Sequence, residues 1–198
     1  MPEVASTFRL QVGDRVPDFR LPDASGKLFS IGEVAGRRGL LLVFACNHCP
    51  YVIHLAAALG HLARDFADLG VGTVAINSND AIAYPEDAAE KMPEFAAQYG
   101  WDFPYLVDTT QQVALDYGAA CTPDFFLADS SMRLFYAGQF DETRPRDDKT
   151  PTGHSLREAV RCMTSGMPPI AKTAPSTGCS IKWKPGVQPS WWNTGIHP

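Results

Sequence analysis

Five cysteines occur among the 198 residues, and two of them, Cys46 and Cys49, are separated by only two positions. A pair at that spacing can do redox chemistry as a dithiol and disulfide, hold a metal ion, or fill a core as two inert thiols. The flanking residues, Phe44-Ala45-Cys46-Asn47-His48-Cys49-Pro50-Tyr51, favour the redox role. An apolar run ends directly before the pair, and a segment of helical periodicity begins directly after it. A cysteine at a helix N-terminus meets free backbone N–H groups and the positive end of the helix dipole, which stabilise a thiolate. Two intervening residues bring the second sulfur within one turn, in reach of a disulfide. Pro50 suits the first helical turn, where its missing N–H costs nothing. His48 lies inside the pair, where an imidazolium would stabilise the neighbouring thiolate.

Those roles need a strand and a helix that meet at the cysteines. Leu40-Leu41-Leu42-Val43-Phe44-Ala45 is too short for a buried helix and shows no alternation, so it reads as a central strand covered on both faces. Val52, Leu55, Leu59, Leu62, Phe66 and Leu69 recur at intervals of three and four, which predicts a long amphipathic helix closed by Gly70. A strand is expected over Val71–Ile76, followed by a polar loop, Asn77–Glu86. Ala88, Met92, Phe95, Ala96 and Tyr99 make a further helical face, in which Pro93 marks a kink or a break. Next come a short strand, Phe103–Val107, and a short helix, Gln111–Tyr117. Phe125–Leu127 and Leu134–Phe140 read as a β-hairpin, and Leu156, Ala159, Val160 and Met163 as a last helix. The alternation predicts an α/β fold, a mixed central sheet flanked by helices. Asp14–Ser30 is an N-terminal extension of short extended pieces. Pro, Gly, Ser and Thr dominate from Pro168, so residues 1–167 are expected as the domain and 168–198 as an irregular C-terminal tail.

Composition removes several classes of function. With 17 Lys+Arg against 22 Asp+Glu, and no basic cluster, nucleic-acid binding by a general basic surface is not expected. The longest apolar run, Leu40–Cys46, falls far short of the roughly 20 residues that cross a bilayer, so no membrane association is expected. The first residues show neither a positive n-region nor an apolar h-region, which points to a soluble cytoplasmic protein. Thiols in a reducing compartment are normally free, so a close pair there suggests catalysis or metal, and an odd total argues against a scaffold built on disulfides.

The strand–Cys46-x-x-Cys49–helix unit, followed by Thr122-Pro123 before a hairpin, resembles the thioredoxin-like fold. With Gly13-Asp14-Arg15-Val16-Pro17-Asp18-Phe19 upstream it is similar to the redoxin branch, which contains peroxiredoxins and thiol-disulfide oxidoreductases of the TlpA type. Cys46-Asn47-His48-Cys49-Pro50-Tyr51-Val52 with the tail Gly178-Cys179-Ser180-Ile181-Lys182-Trp183-Lys184 resembles the peroxiredoxin-like bacterial proteins, and the likeness spans residues 10–186. The resemblance implies a thiol-disulfide oxidoreductase in which Cys46 attacks a substrate disulfide and Cys49 resolves the mixed disulfide. It implies that Pro123 is cis and faces the pair, with the backbone of Thr122 available to a substrate strand and Asn47 and His48 tuning the site. It needs no cofactor and no metal, takes a disulfide-containing protein or small thiol as substrate, and draws on an electron donor of thioredoxin or glutathione type.

Two departures qualify that picture. Peroxiredoxins carry P-x-x-x-T-x-x-C, but counting back from Cys49 gives Leu42 and Cys46, and from Cys46 gives Gly39 and Val43. Thioredoxin places Trp before its first Cys and a buried Asp six residues before it; here Ala45 and Leu40 stand there. A thiol peroxidase therefore remains an alternative, as does a thioredoxin-fold module for metal binding or copper delivery with His48 as a ligand. Cys121, two residues before Pro123, is either a small buried residue or a third redox thiol. Cys162 reads as structural, and Cys179 as a tail residue without a mechanism. His54 and His61 share a helical face as boundary residues or ligands. Trp191-Trp192 either caps a groove or is disordered, and Arg144–Lys149 is a solvated charged loop.

Overall fold

The computed structural model describes residues 3–193. Its strands are β1 (Glu3–Ala5), β2 (Arg20–Pro22), β3 (Leu28–Ser30), β4 (Gly39–Phe44), β5 (Val71–Asn77), β6 (Tyr105–Val107), β7 (Cys121–Thr122), β8 (Asp124–Asp129), β9 (Leu134–Gly138) and β10 (Thr177–Ser180). The helices are α1 (Ile31–Val34), α2 (Pro50–Asp68), α3 (Met92–Tyr99), α4 (Gln112–Tyr117) and α5 (His154–Thr164). The apolar run before the cysteines forms β4, buried at every position as a strand with helices on both faces must be. It pairs antiparallel with β8, and β8 pairs antiparallel with β9. β5 lies on the other side of β4, with the Ala45 N–H donating to the Ile76 carbonyl at 2.9 Å, and it pairs parallel with β6. The sheet therefore runs β6-β5-β4-β8-β9, the mixed thioredoxin-like arrangement that the resemblance implies.

Alternate residues of β4 enter two separate cores. Leu41 and Val43 pack with Val52, Leu59 and Phe66 of α2, Phe95 of α3 and Leu156 of α5. Leu40, Leu42 and Phe44 pack with Val34 of α1 and with Val113 and Tyr117 of α4. The helices thus lie on both faces of the sheet, and α2 is held along one side by its three-and-four periodicity.

Two local expectations change. The helical face read from Ala88 begins only at Met92, because Pro93 sits in the first turn of α3, and Pro85–Asp87 and Ala89–Lys91 are 3-10 turns instead. The tail is not irregular throughout: β10 pairs antiparallel with β1 (Glu3 opposite Cys179) and with β7 (Cys179 opposite Thr122, Ser180 opposite Cys121). Thr177-Gly178-Cys179-Ser180 has no apolar alternation, so its strand comes from neighbours on both sides rather than from its own propensity. Trp191 packs edge-on against Trp183 under the Arg9 guanidinium; the side chain of Trp192 lies outside the described residues.

Candidate active site

β4 ends at Phe44, Cys46 follows two residues later, and Cys49 is the N-cap of α2 with Pro50 as its first helical residue. Both cysteines are buried, with 1% and 0% of their surface exposed, and all five cysteines of the chain are free. Cys46 Sγ lies 3.4 Å from Thr122 Oγ1, and the Cys49 thiol donates to the Thr122 carbonyl at 3.0 Å. Burial opposes ionisation of Cys49. Against it, the neighbouring thiols of Cys179 and Cys46, the Thr122 hydroxyl and the Val52 N–H favour the thiolate, and the net effect lowers its pKa. Cys46 goes the other way: burial pushes it up, reinforced by its hydrogen bond to Cys49 and by the negative charge of Asp87. The two thiols thus pull in opposite directions and titrate as a pair rather than as separate groups.

A buried carboxylate organises the loop between the cysteines. Asp87 Oδ1 accepts the backbone N–H groups of Asn47 and His48 at 2.9 and 3.2 Å, and Oδ2 accepts Asn79 Nδ2 at 2.7 Å. His48 Nδ1 sits 2.7 Å from Asp87 Oδ2, and the hydrogen bond to that carboxylate raises the imidazole pKa. Burial works to raise the Asp87 pKa, but the hydrogen bonds from His48 and Asn79 and the imidazolium charge bring it below its ordinary value. The His48 ring stacks on Tyr84, with centroids 5.8 Å apart. Cys46 Sγ, a His48 ring nitrogen and an Asp87 carboxylate oxygen all lie within 4.8 Å of one another. Asn47 is an anchor: its amide donates to the Glu86 carbonyl, and its oxygen accepts the Tyr105 hydroxyl at 3.1 Å. Asp87 was missed in the sequence because it lies in a polar loop far from the cysteines. The available signal was position, since that loop follows the carboxyl end of β5, next to the end of β4, where sites in open α/β sheets gather.

The Thr122–Pro123 peptide bond is cis, and both residues stand beside the cysteine pair. The backbone edge of Thr122 is not open to a substrate strand, however, because β10 already occupies it. Gly178 permits that approach: a Cβ there would stand 2.0 Å from the Thr122 carbonyl oxygen. Of the two candidate extra thiols, Cys121 is fully buried and donates to the Pro123 carbonyl, and burial raises its pKa. Cys179, 4% exposed, is the one packed in the same cluster as Cys46 and Cys49, opposite Thr122. Cys162 contacts Glu158 on α5. His54 pairs with Thr143 and His61 with Arg64, so the two rings share no partner. A small pocket of about 20 Å³ opens beside Pro123, lined by Tyr51, His54, Phe140, Arg144 and Thr177 among others. Arg144, from the charged loop, donates there to the Thr143 carbonyl and to Thr177 Oγ1.

Comparison with known proteins adds four findings. The family model described as Redoxin matches residues 11–152. A protein of Mycobacterium tuberculosis named as a peroxiredoxin is 30% identical over 116 residues, 59% of this chain and 69% of the relative. Thiol-disulfide oxidoreductase ResA of Bacillus anthracis is 27% identical over 130 residues, 66% of this chain and 70% of the relative. Among solved structures, an uncharacterized conserved protein from Geobacillus kaustophilus superposes with a TM-score of 0.89 at 44% identity, covering 93% of this chain and 98% of that one.

Proposed function

The chain belongs to the Redoxin family, and from that premise we propose that it is a thiol-disulfide oxidoreductase whose Cys46–Cys49 dithiol exchanges disulfides with protein or small-thiol substrates. The observation that carries this is the buried Cys46–Cys49 pair at the β4–α2 junction, in contact with Thr122 of the cis Thr122–Pro123 bond and next to the His48–Asp87 ion pair. A proton hop from Cys46 to Cys49 gives the attacking form, and the imidazolium of His48 stabilises the Cys46 thiolate so produced. That thiolate attacks one sulfur of the substrate disulfide and expels the other as a thiolate, which takes up a proton. Cys49, whose acidity the surrounding donors maintain, then attacks Cys46 Sγ and releases the second substrate thiol. While β10 covers Thr122, a protein strand cannot pair there, which favours small disulfides that need only reach Cys46 beside His48. Cytoplasmic residence and a donor of thioredoxin or glutathione type belong to the same reading, and cell fractionation checks the first.

Reduction of insulin disulfides driven by dithiothreitol tests the assignment. Cys46→Ser should abolish turnover, and Cys49→Ser should accumulate a mixed disulfide at Cys46. Full activity of both variants would overturn it. The cluster of Cys46, His48 and Asp87 favours a second reading, binding of a soft or borderline metal ion. The tight His48–Asp87 pair competes with such an ion, and calorimetric titration with Cu(I) or Zn²⁺ decides between them: no saturable binding removes the metal reading.

A further inference from the structure

Cys49 is packed with two thiols, not one: Cys46 approaches from the loop before α2 and Cys179 from β10, and all three lie in the same buried cluster. The register makes the second contact specific: Cys179 lies directly opposite Thr122, whose side chain meets Cys46 and whose carbonyl meets Cys49. Gly178, next to it, lets β10 approach the Thr122 carbonyl more closely than any side chain would allow. Cys46, Cys49 and Cys179 belong to one packed cluster, whereas Cys121, nearer in sequence to Pro123, turns its thiol to the Pro123 carbonyl.

We propose that Cys179 is a second resolving thiol, which attacks Cys49 in the Cys46–Cys49 disulfide and carries the oxidised state onto β10. The proposal rests on the exchange assigned to Cys46 and Cys49 and extends it to a third sulfur. In the step, the Cys179 thiolate forms a bond to Cys49 Sγ as the Cys46–Cys49 bond breaks, and Cys46 leaves with the electron pair. The proton lost by Cys179 passes to Cys46, so the disulfide moves with no net oxidation. The proximity of Cys49 and burial both raise the Cys179 pKa in the reduced protein; the first cause disappears once Cys49 enters a disulfide, burial persists, and the nearby Lys182 charge favours the thiolate. The outcome frees Cys46 beside His48 and ties β10 across Thr122. An external dithiol then reduces the Cys49–Cys179 bridge, becoming a disulfide itself.

The test oxidises the full chain stepwise with oxidised glutathione, quenches in acid, alkylates the remaining thiols and maps the disulfides by mass spectrometry. In Cys46→Ser the Cys49–Cys179 bridge should be the main product, and in the unaltered protein both bridges should appear, each using Cys49. Glutathione retained on Cys49 with Cys179 fully alkylated in Cys46→Ser would overturn the proposal. Should Cys46→Ser fail to fold, as judged by circular dichroism, the unaltered protein decides: a Cys46–Cys49 bridge alone at every glutathione ratio also overturns it. Insulin reduction by the unaltered protein separates the two claims. Activity without the Cys49–Cys179 bridge removes only the third thiol, whereas no activity and no Cys46–Cys49 bridge removes the underlying function.

Discussion

At the scale of single residues, the site places two adjacent buried thiols in opposed environments. Cys46 and Cys49 differ in environment more than in burial: Cys49 has neighbours that favour its thiolate, while Cys46 faces the carboxylate of Asp87, with a His48 ring nitrogen within 4.8 Å of its sulfur. Removing the imidazole should therefore act on Cys46 first. His48→Ala should slow alkylation of Cys46 near neutral pH and make the couple more reducing, by a shift of order 30 mV, about 1.4 kcal/mol for two electrons. Glutathione equilibration reads that shift, and an unchanged or more oxidising potential would remove His48 from the tuning role. The ion pair also sets a pH window. His48 has a raised pKa in the fold, so its stabilisation is complete below the unfolded value of about 6.5 and fades as pH rises through the folded one. Asp87 has a lowered pKa, so its stabilisation is complete above about 3.9 and fades as pH falls through the folded value. Asp87→Asn should accordingly lower the His48 pKa, measured by NMR titration, and weaken the pH dependence of thermal stability above about pH 6.5 and below about pH 3.9, where the pair's contribution fades.

At the scale of elements, β4 and α2 were legible because each carries its own signal: an unbroken apolar strand and a stripe with period near 3.6. The cysteine pair was legible for the same reason, since it sits where those two signals meet. Asp87 and β10 were not. Asp87 reaches the site only through the fold, across the ends of β4 and β5, and β10 is a strand made of small polar residues that exists because β1 and β7 flank it. Its dependence on close approach gives a prediction at this scale. Gly178→Ala places a methyl against the Thr122 carbonyl, so β10 must shift, at a cost of about 1–3 kcal/mol typical of overpacking. Hydrogen exchange of the 177–180 amides should accelerate far more than exchange in β4. Equal protection in both would show that the contact is not required for docking.

At the scale of the whole molecule, a two-faced sheet holds the site rigid while the N-terminal and C-terminal segments meet over it as β1 and β10. The two cores are separable by mutation. Leu62→Ala, on the α2 face, should cost about 2–5 kcal/mol in denaturant unfolding and leave the potential of the dithiol nearly unchanged. Val43 and Gly39 stand where a peroxidatic loop would carry Thr and Pro, and Val43 is fully buried in β4, so hydrogen peroxide should be consumed far more slowly than by a dedicated peroxidase. A stopped-flow peroxide assay checks that expectation. Whether Cys46 and Cys49 form a working redox couple is decided by equilibrating the protein with glutathione and measuring the midpoint potential. A two-electron transition is expected between the thioredoxin value of about −270 mV and the DsbA value of about −120 mV, lost in Cys49→Ser, which removes the sulfur common to both bridges. No transition in that range, or one that survives Cys49→Ser unchanged, would contradict the assignment.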